Sequence, residues 1–155
     1  MTFIESETIE LKSSVVADLC KEVLAFANTR GGTLYIGVED NGTVIGVDSA
    51  DRVTLQINNM VRDSIKPDIT MFVHYETQVI NDKQIIAVTV QEGTDRPYYL
   101  GSKGLKPSGV YVRNGTSTDP ASDTAIRKMI KETDGDSFET MRSLEQNLSF
   151  QAAEA

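Results

Sequence analysis

The chain opens on a short alternation of polar and apolar residues. Residues 8–12 alternate at every position, which predicts a β-strand with Glu10 and Lys12 on one face. Glu5 lies just before this strand. In a continuous strand Glu5 and Glu10 would point to opposite faces, so these two acids can meet only if the chain turns between them.

A helix is predicted next, because apolar residues recur at helical spacing over 15–27. Ser13 or Ser14 can supply the hydroxyl of its N-cap. Gly31 and Gly32 end the helix, since glycine readily adopts the left-handed conformation that follows a helix C-terminus.

A hairpin follows this helix. Residues 33–38 form a continuous apolar stretch typical of a buried strand, and 44–47 are apolar enough to be the returning strand. Between them, Asp40-Asn41-Gly42 tolerates the positive φ angles of a tight turn.

The remaining patterns complete the fold prediction. They indicate a helix over 50–65, paired strands over 71–80 and 84–91, a strand over 110–113 and a helix over 122–132. Together the elements predict an α+β fold, with a mixed or mostly antiparallel sheet of about six strands and about three helices. We expect 1–132 to be the domain, and the polar stretch 133–155 to be a linker toward a further carboxyl-terminal domain.

Composition narrows the class of protein. The chain has 155 residues, of which 39% are hydrophobic and 25% charged, as in one ordinary globular domain. No run approaches the roughly 20 apolar residues of a membrane span, and the start lacks the basic and apolar parts of a signal peptide. Cys20 is the only cysteine, which excludes an internal disulfide and a zinc site of several thiolates. We therefore expect a cytoplasmic protein with no membrane partner.

The charge distribution points to one basic stretch. A net charge of −8 argues against a protein that coats nucleic acid with its whole surface. Residues 96–118, however, contain no carboxylate. The cations of this stretch are Arg96, Lys103, Lys106 and Arg113. At its end, residues 113–117 combine a cation, a glycine and two hydroxyls, a set that suits an anion-binding turn.

Three stretches of the chain, 5–12, 25–32 and 34–46, resemble the Schlafen AlbA-2 family. A Pro-Tyr pair at 97–98 and a Tyr-x-Arg-x-Gly-x-Ser turn at 111–117 extend the resemblance, which covers about residues 5 to 132. The resemblance implies a domain found at the front of transcriptional regulators, some of them described as helicase-related. It also implies nucleic acid as the partner, DNA more than RNA.

The same resemblance implies an acidic trio. In the animal Schlafen ribonucleases the matching motifs supply three acids that bind a divalent metal, and by motif position these fall on Glu5, Glu10 and Asp40. They would be both catalytic and metal-binding, with magnesium or manganese as the cofactor. Two carboxylates about 4 Å apart repel by roughly 4 kcal/mol at an effective dielectric near 20. A converging trio therefore needs a proton, a cation or a metal.

The three acids also have a simpler interpretation. Glu5 would be solvated, Glu10 would pair with Lys12, and Asp40 would lead into the turn that follows it. The ribonucleases join two such lobes in one chain, whereas this chain carries one. The sequence leaves both interpretations open.

Residues 28–32, Asn-Thr-Arg-Gly-Gly, also have two interpretations. Their glycines would let the backbone approach a phosphate closely. A glycine pair after a helix is more often a C-cap, and the negative end of a helix disfavours anions.

We therefore expect a DNA-binding module of a transcriptional regulator rather than an enzyme. The alternatives are a metal-dependent ribonuclease and a dimerisation or sensor module that does not bind nucleic acid itself. The candidate nucleic-acid contacts are Lys12, Arg30, Arg96, Lys103, Lys106 and Arg113. The two-lobed enzymes also imply a homodimer, in which a second copy replaces the missing lobe.

Overall fold

The computed structural model describes residues 3–134. In chain order the elements are β1 (Ile9–Lys12), α1 (Leu19–Asn28), β2 (Gly32–Ile36), α2 (Ala50–Ser64), β3 (Ile65–Lys66), a 3₁₀ turn (Thr70–Phe72), β4 (Val73–Ile80), β5 (Lys83–Val90), β6 (Tyr99–Leu100), β7 (Tyr111–Asn114), β8 (Ser117–Pro120) and α3, described over 123–134. From residue 135 onward, the predicted linker lies outside the described residues. Among residues 3–134, no helix is both long and apolar enough to cross a membrane.

The central sheet has four strands in the order β1-β2-β5-β4. β1 runs parallel to β2, and the other two pairings are antiparallel. Two short ribbons, β3 with β6 and β7 with β8, lie outside this sheet. The predicted α+β class with a mixed sheet is therefore confirmed. The described residues contain more strands than expected, because the two-residue strands β3 and β6 and the four-residue strand β8 carry no periodic signal.

Each face of the sheet has its own apolar cluster. Leu34 and Ile86 point to the face covered by α1 and α2, where the larger cluster lies. Leu11 and Ile85 point to the opposite face, which Phe3 covers. Because successive side chains of a strand alternate between faces, both faces of the central strands are apolar. A third cluster joins α3 to the β6–β8 region.

α1 begins later than predicted. It starts at Leu19 with Asp18 as N-cap, and neither Ser13 nor Ser14 caps it. Residues 13–18 form bends and turns instead. The Lys12 carbonyl oxygen accepts from the N–H groups of Gly37 and Val38, so β1 stays paired with the chain after β2 up to its last residue.

The first predicted hairpin forms its turn and a few backbone hydrogen bonds, such as the one from the Ile45 N–H to the Gly37 carbonyl oxygen at 2.9 Å, but no returning strand. Val38 and Val44 make a single bridge, after which the Val47 N–H donates to the Gln84 carbonyl oxygen at 2.8 Å. The prediction of a returning strand over 44–47 is therefore wrong. Both edges of β2 are occupied, by β1 and by β5, which leaves no edge for a third neighbour.

The second hairpin is confirmed. Asn81 and Asp82 form a two-residue turn between β4 and β5, with φ angles of 54° and 63°. These angles match the turn type whose twist suits a two-residue hairpin.

Candidate nucleic-acid interface

A tight turn brings Glu5 beside Glu10. Ser6 and Ile9 form an antiparallel bridge, in which the Ser6 N–H donates to the Ile9 carbonyl oxygen at 2.9 Å. The chain therefore reverses just before β1, and the Glu5 Oε2 atom accepts a hydrogen bond from the Leu11 N–H at 3.3 Å. The Glu5 carboxyl group also lies close enough to Glu10 to contribute to a raised pKa of the Glu10 carboxyl. The turn that these two acids require in order to meet is present.

Arg113 binds Glu10 from the β7 side. Its Nη1 atom lies 2.8 Å from the Glu10 Oε1 atom. Its Nη2 atom donates to the carbonyl oxygens of Ser6 at 2.8 Å and Ile9 at 3.1 Å. A fourth partner is the Thr118 hydroxyl oxygen, 3.0 Å from Nη1. One guanidinium thus holds the turn before β1, the Glu10 carboxylate and β8 together.

The burial of Arg113 corrects its predicted role. Its side chain is 1% exposed, and the guanidinium carbon lies 5.1 Å from the centre of the Phe26 ring. A cation over an aromatic face is stabilised by the ring electrons, more strongly where water is excluded. Arg113 is therefore a structural cation in this conformation and cannot contact a phosphate at the surface.

Lys12 is held by two acids. Its Nζ atom lies 3.6 Å from Glu10 Oε2 and 3.5 Å from Glu22 Oε2. The predicted pairing of Lys12 with Glu10 is therefore confirmed, while Glu22, a buried residue of α1, was missed. Its place inside a helical pattern carries no signal of a partner on β1. Since only 26% of the Lys12 side chain is exposed, most of it is unavailable to a ligand.

The environment of Glu10 favours its protonated form. Burial is the largest cause, the charge of Glu22 is the next, and the hydrogen bond from Arg113 opposes both, with a smaller raising contribution from Glu5. Together they raise the pKa of Glu10 from its ordinary 4.5 to about 7.

The residues of the predicted acidic trio do not fit a metal in this arrangement. Glu5 and Glu10 come together, but both Glu10 oxygens face cations, and Asp40 lies exposed in the turn after β2. Within residues 3–134, no three His, Cys, Asp or Glu side chains are grouped so that they could hold a metal ion. Arg113 and Lys12 take the place that a divalent cation would have as the counter-charge.

Residues 28–32 position Arg113 and the loop before β6. The Asn28 amide nitrogen donates to the carbonyl oxygens of Tyr98 and Tyr111, both at 3.0 Å, and its Oδ1 atom accepts from the Tyr98 N–H at 2.8 Å. The Thr29 hydroxyl oxygen accepts from the Arg113 N–H at 3.0 Å. This arrangement favours the structural interpretation of the motif over phosphate binding by its backbone.

The first glycine of the pair closes α1. Gly31 has a φ of +77° and donates its N–H to the Phe26 carbonyl oxygen at 2.7 Å. A side chain at this position would be strained, and its Cβ atom would lie 2.7 Å from the Val90 carbonyl oxygen. The glycine therefore completes the turn that follows the C-cap residue Thr29 and lets β2 start against β5.

Two predicted cations lie in exposed ion pairs. Arg30 is 74% exposed and its Nη1 atom lies 3.0 Å from Glu7 Oε1. Arg96 lies 3.1 Å from Glu92 and is 29% exposed. Surface pairs of this kind contribute little free energy, so a phosphate could compete for either guanidinium.

Lys103 and Lys106 are the freest of the predicted cations. Both are exposed in the loop between β6 and β7, and within residues 3–134 neither forms an ion pair. The loop is ordered by its own backbone: the Lys103 N–H donates to Leu100 at 2.9 Å, and the Gly109 N–H donates to Lys106 at 2.8 Å.

A third lysine joins this loop through the tertiary structure. Lys66 of β3 pairs with Tyr99 of β6, and its side chain runs along Gly101, with Cγ 3.2 Å from where a Cβ atom of that residue would lie. In the sequence, Lys66 marks only the end of a predicted helix. Its 37-residue separation from Lys103 gives no sign that the two lysines lie on neighbouring segments. We call Lys66, Lys103 and Lys106 the lysine surface.

The chain is similar in sequence and structure to known protein domains. The family model described as Schlafen, AlbA_2 matches residues 5–122. No curated protein matches the chain significantly. The solution structure of the N-terminal domain of an ATP-dependent DNA helicase RecG-related protein from Nitrosomonas europaea is similar, with 30% identity, a TM-score of 0.57, and coverage of 73% of this chain and 82% of that one.

A second solved structure shares the fold alone. The crystal structure of the DIP2311 protein from Corynebacterium diphtheriae has 18% identity and a TM-score of 0.55, and the match covers 74% of this chain and 25% of that one. The family model spans all of the elements from β1 to β8. The chain belongs to the Schlafen AlbA_2 family.

Proposed function

We propose that the chain is a nucleic-acid-binding module, directed at DNA, that serves a transcriptional regulator. Its family and its similarity to a domain of a DNA helicase-related protein indicate a nucleic-acid-related role. DNA as the ligand and regulation as the purpose are the proposal. A module of this kind acts where the nucleic acid is, which agrees with the cytoplasmic location expected from the sequence.

The observation that carries the proposal is the lysine surface. Within residues 3–134, Lys66, Lys103 and Lys106 are exposed and form no ion pair, and they lie on neighbouring segments of a chain whose net charge is −8. Lysine side chains that neutralise phosphates release counterions, and this release supplies most sequence-independent affinity for nucleic acid. The acidic remainder of the chain repels phosphates, so it would orient nucleic acid toward the lysine surface.

Mobility shift of a short DNA duplex by the full chain tests the proposal. Lys103→Ala with Lys106→Ala should weaken binding about equally for unrelated sequences, because phosphate contacts carry no base information. The matched control is Arg52→Ala with Lys83→Ala, which removes the same charge. Arg52 lies at the other end of α2 from Lys66, and Lys83 at the hairpin end of β5. Equal affinity of the two double variants would contradict the proposal.

Two other functions are outcomes of the same experiment. RNA and single-stranded DNA of matched length compete with the duplex and establish which ligand is preferred. Shortening of RNA that depends on magnesium would support the ribonuclease alternative, which the pairing of Glu10 with Arg113 and Lys12 does not favour. A chain that self-associates but shifts no nucleic acid would instead be a dimerisation or sensor module.

A further inference from the structure

The hydrogen-bonding phase of β4 leaves half of its backbone groups facing away from the sheet. β4 pairs with β5 along its whole length and is the last strand of the sheet. Ile80 and Lys83 close the two-residue hairpin, so they form a hydrogen-bonded pair. The Gln91 N–H donates to the Phe72 carbonyl oxygen at 2.8 Å, so the backbone of Phe72, like that of Ile80, bonds on the β5 side. The even-numbered residues of β4 therefore bond to β5.

The odd-numbered residues present the free edge. They are Val73, Tyr75, Thr77 and Val79. The Val73 N–H donates to the Thr70 carbonyl oxygen of the 3₁₀ turn, whereas within residues 3–134 the backbone N–H and carbonyl groups of Tyr75, Thr77 and Val79 bond to no other segment. A long edge strand without a proline, a lysine or a covering element is a template for another strand.

A groove lies beside this edge, between β4 and α2. It has a volume of about 490 Å³, and its lining includes Leu55 and Asn58 of α2 with Tyr75 and Thr77 of β4. Leu55 is 61% exposed, although it lies on a helix whose other side packs into the core. Asp51 and Thr54 also line the groove, so it is an open space of mixed polar and apolar character next to unpaired backbone groups, which is the geometry that strand addition uses.

We propose that β4 of a second copy of this chain binds this edge, antiparallel to β4 and with a two-fold axis at Thr77. The two four-stranded sheets would then form one continuous sheet of eight strands. In this register Thr77 bonds to Thr77 of the second copy, and Tyr75 lies opposite Val79 of the second copy. Directly paired residues place their side chains on the same face, so the second copy's Val79 covers the groove.

Two properties of β4 favour a second copy as the occupant. The added strand must supply an apolar side chain to cover the groove. β4 offers one in Val79, which is 65% exposed. The register also places Glu76 opposite Gln78 of the second copy, and within one chain the Gln78 amide already donates to Glu76 at 2.9 Å. A register centred on Glu76 would instead oppose two like charges, which destabilises a strand pair.

The first test compares two substitutions of Thr77 in the full chain by sedimentation equilibrium. Wild type should have twice the 17.0 kDa mass of one chain. Thr77→Pro removes the outward N–H at the axis without removing a bond to β5, and it should raise the dissociation constant by at least about tenfold. Thr77→Val keeps the N–H and the side-chain shape, so it should stay dimeric. Circular dichroism checks that each variant is folded.

The second test addresses the register through Gln78, a half-buried residue whose side-chain bond to Glu76 is exposed to solvent. Gln78→Lys places a cation opposite Glu76 and should lower the dissociation constant by roughly two- to tenfold, whereas Gln78→Glu should raise it by a similar factor. A wild-type chain that remains at 17.0 kDa at high micromolar concentration overturns the proposal. It is equally overturned if folded Thr77→Pro associates as tightly as Thr77→Val, or if the two Gln78 variants associate alike.

Discussion

The Arg113 guanidinium joins parts of the chain that are 104 residues apart in sequence. It donates to two carbonyl oxygens of the turn before β1 and to the Glu10 carboxylate. Because these acceptors are removed from water, each would lose a hydrogen bond if the cation were absent. Arg113 therefore stabilises the fold. It affects a ligand only indirectly, by holding the surrounding region in position.

Replacing Arg113 with methionine should therefore lower the free energy of unfolding by about 2–4 kcal/mol, since four hydrogen bonds of a buried guanidinium are lost and each contributes about 0.5–1.5 kcal/mol. Urea unfolding followed by circular dichroism measures the change. Arg96→Met, which breaks an exposed pair with Glu92, should cost no more than about 1 kcal/mol. Equal, small effects of the two substitutions would show that Arg113 is not a structural cation.

Glu10 predicts a dependence of stability on pH. Its pKa in the folded chain is about 7, above its ordinary 4.5. Between these values the folded chain keeps a proton that the unfolded chain has released, so stability falls as pH rises. The contribution is fully present below pH 4.5 and is lost as pH passes about 7. The slope attributable to Glu10 is at most about 1.4 kcal/mol per pH unit.

Unfolding of wild type and Glu10→Gln across this pH range measures that slope. The glutamine cannot titrate, so its curve should be flatter than that of wild type between these limits. Glu39→Gln, at an exposed position, is the control and should keep the wild-type slope. Parallel curves for wild type and Glu10→Gln would contradict the raised pKa.

At the scale of single elements, the β4–β5 hairpin depends most on local sequence. Its two turn residues both have positive φ, which asparagine tolerates better than most residues and which glycine adopts freely. Asp82, at 63°, is the less favourable of the two. The hairpin therefore carries a local strain that the pairing of two eight-residue strands offsets.

Asp82→Gly should raise the free energy of unfolding by about 0.5–1 kcal/mol, because the left-handed conformation costs a side-chain-bearing residue about 1–2 kcal/mol and the unfolded chain gains some entropy in return. Asp82→Ala, which keeps a Cβ atom without a polar side chain, should be no more stable than wild type. Thermal unfolding of the three proteins tests this order. A glycine variant less stable than the alanine variant would contradict it.

On the scale of the whole molecule, charge is unevenly placed. The net charge is −8, yet three lysines lie together on the β3 and β6–β7 side. A chain of this kind binds nucleic acid through few contacts, so its affinity should be modest and should fall with salt.

The salt dependence of the binding constant measures how many phosphates the chain neutralises. Three neutralised phosphates predict a slope of about −2.7 in the logarithm of the binding constant against the logarithm of salt concentration, since each contributes about −0.9 on duplex DNA. Removing Lys103 and Lys106 should reduce the slope to about −0.9. Fluorescence anisotropy of a labelled duplex at several salt concentrations gives both values. A double variant with the wild-type slope would place the phosphate contacts elsewhere.

Local sequence patterns suffice to predict the elements whose residues are neighbours along the chain. The helix α2 and the β4–β5 hairpin follow from apolar spacing and from turn residues such as Asn81, all within about 20 neighbouring positions. The alternation over 8–12 likewise predicted β1, and with it the need for a turn if Glu5 was to reach Glu10. The family resemblance was equally readable, because its motifs are contiguous stretches.

The exposure of each charged side chain, by contrast, depends on the tertiary structure. Arg113 and Lys103 look equivalent in an acid-free stretch of sequence, but one is 1% exposed against Glu10 and the other is exposed on a loop. Glu22 and Lys66 acquired their neighbours from strands far away along the chain. The physical reason is that burial and counter-charge depend on distances in space, which sequence separation does not encode, whereas helical and strand periods arise from the backbone itself.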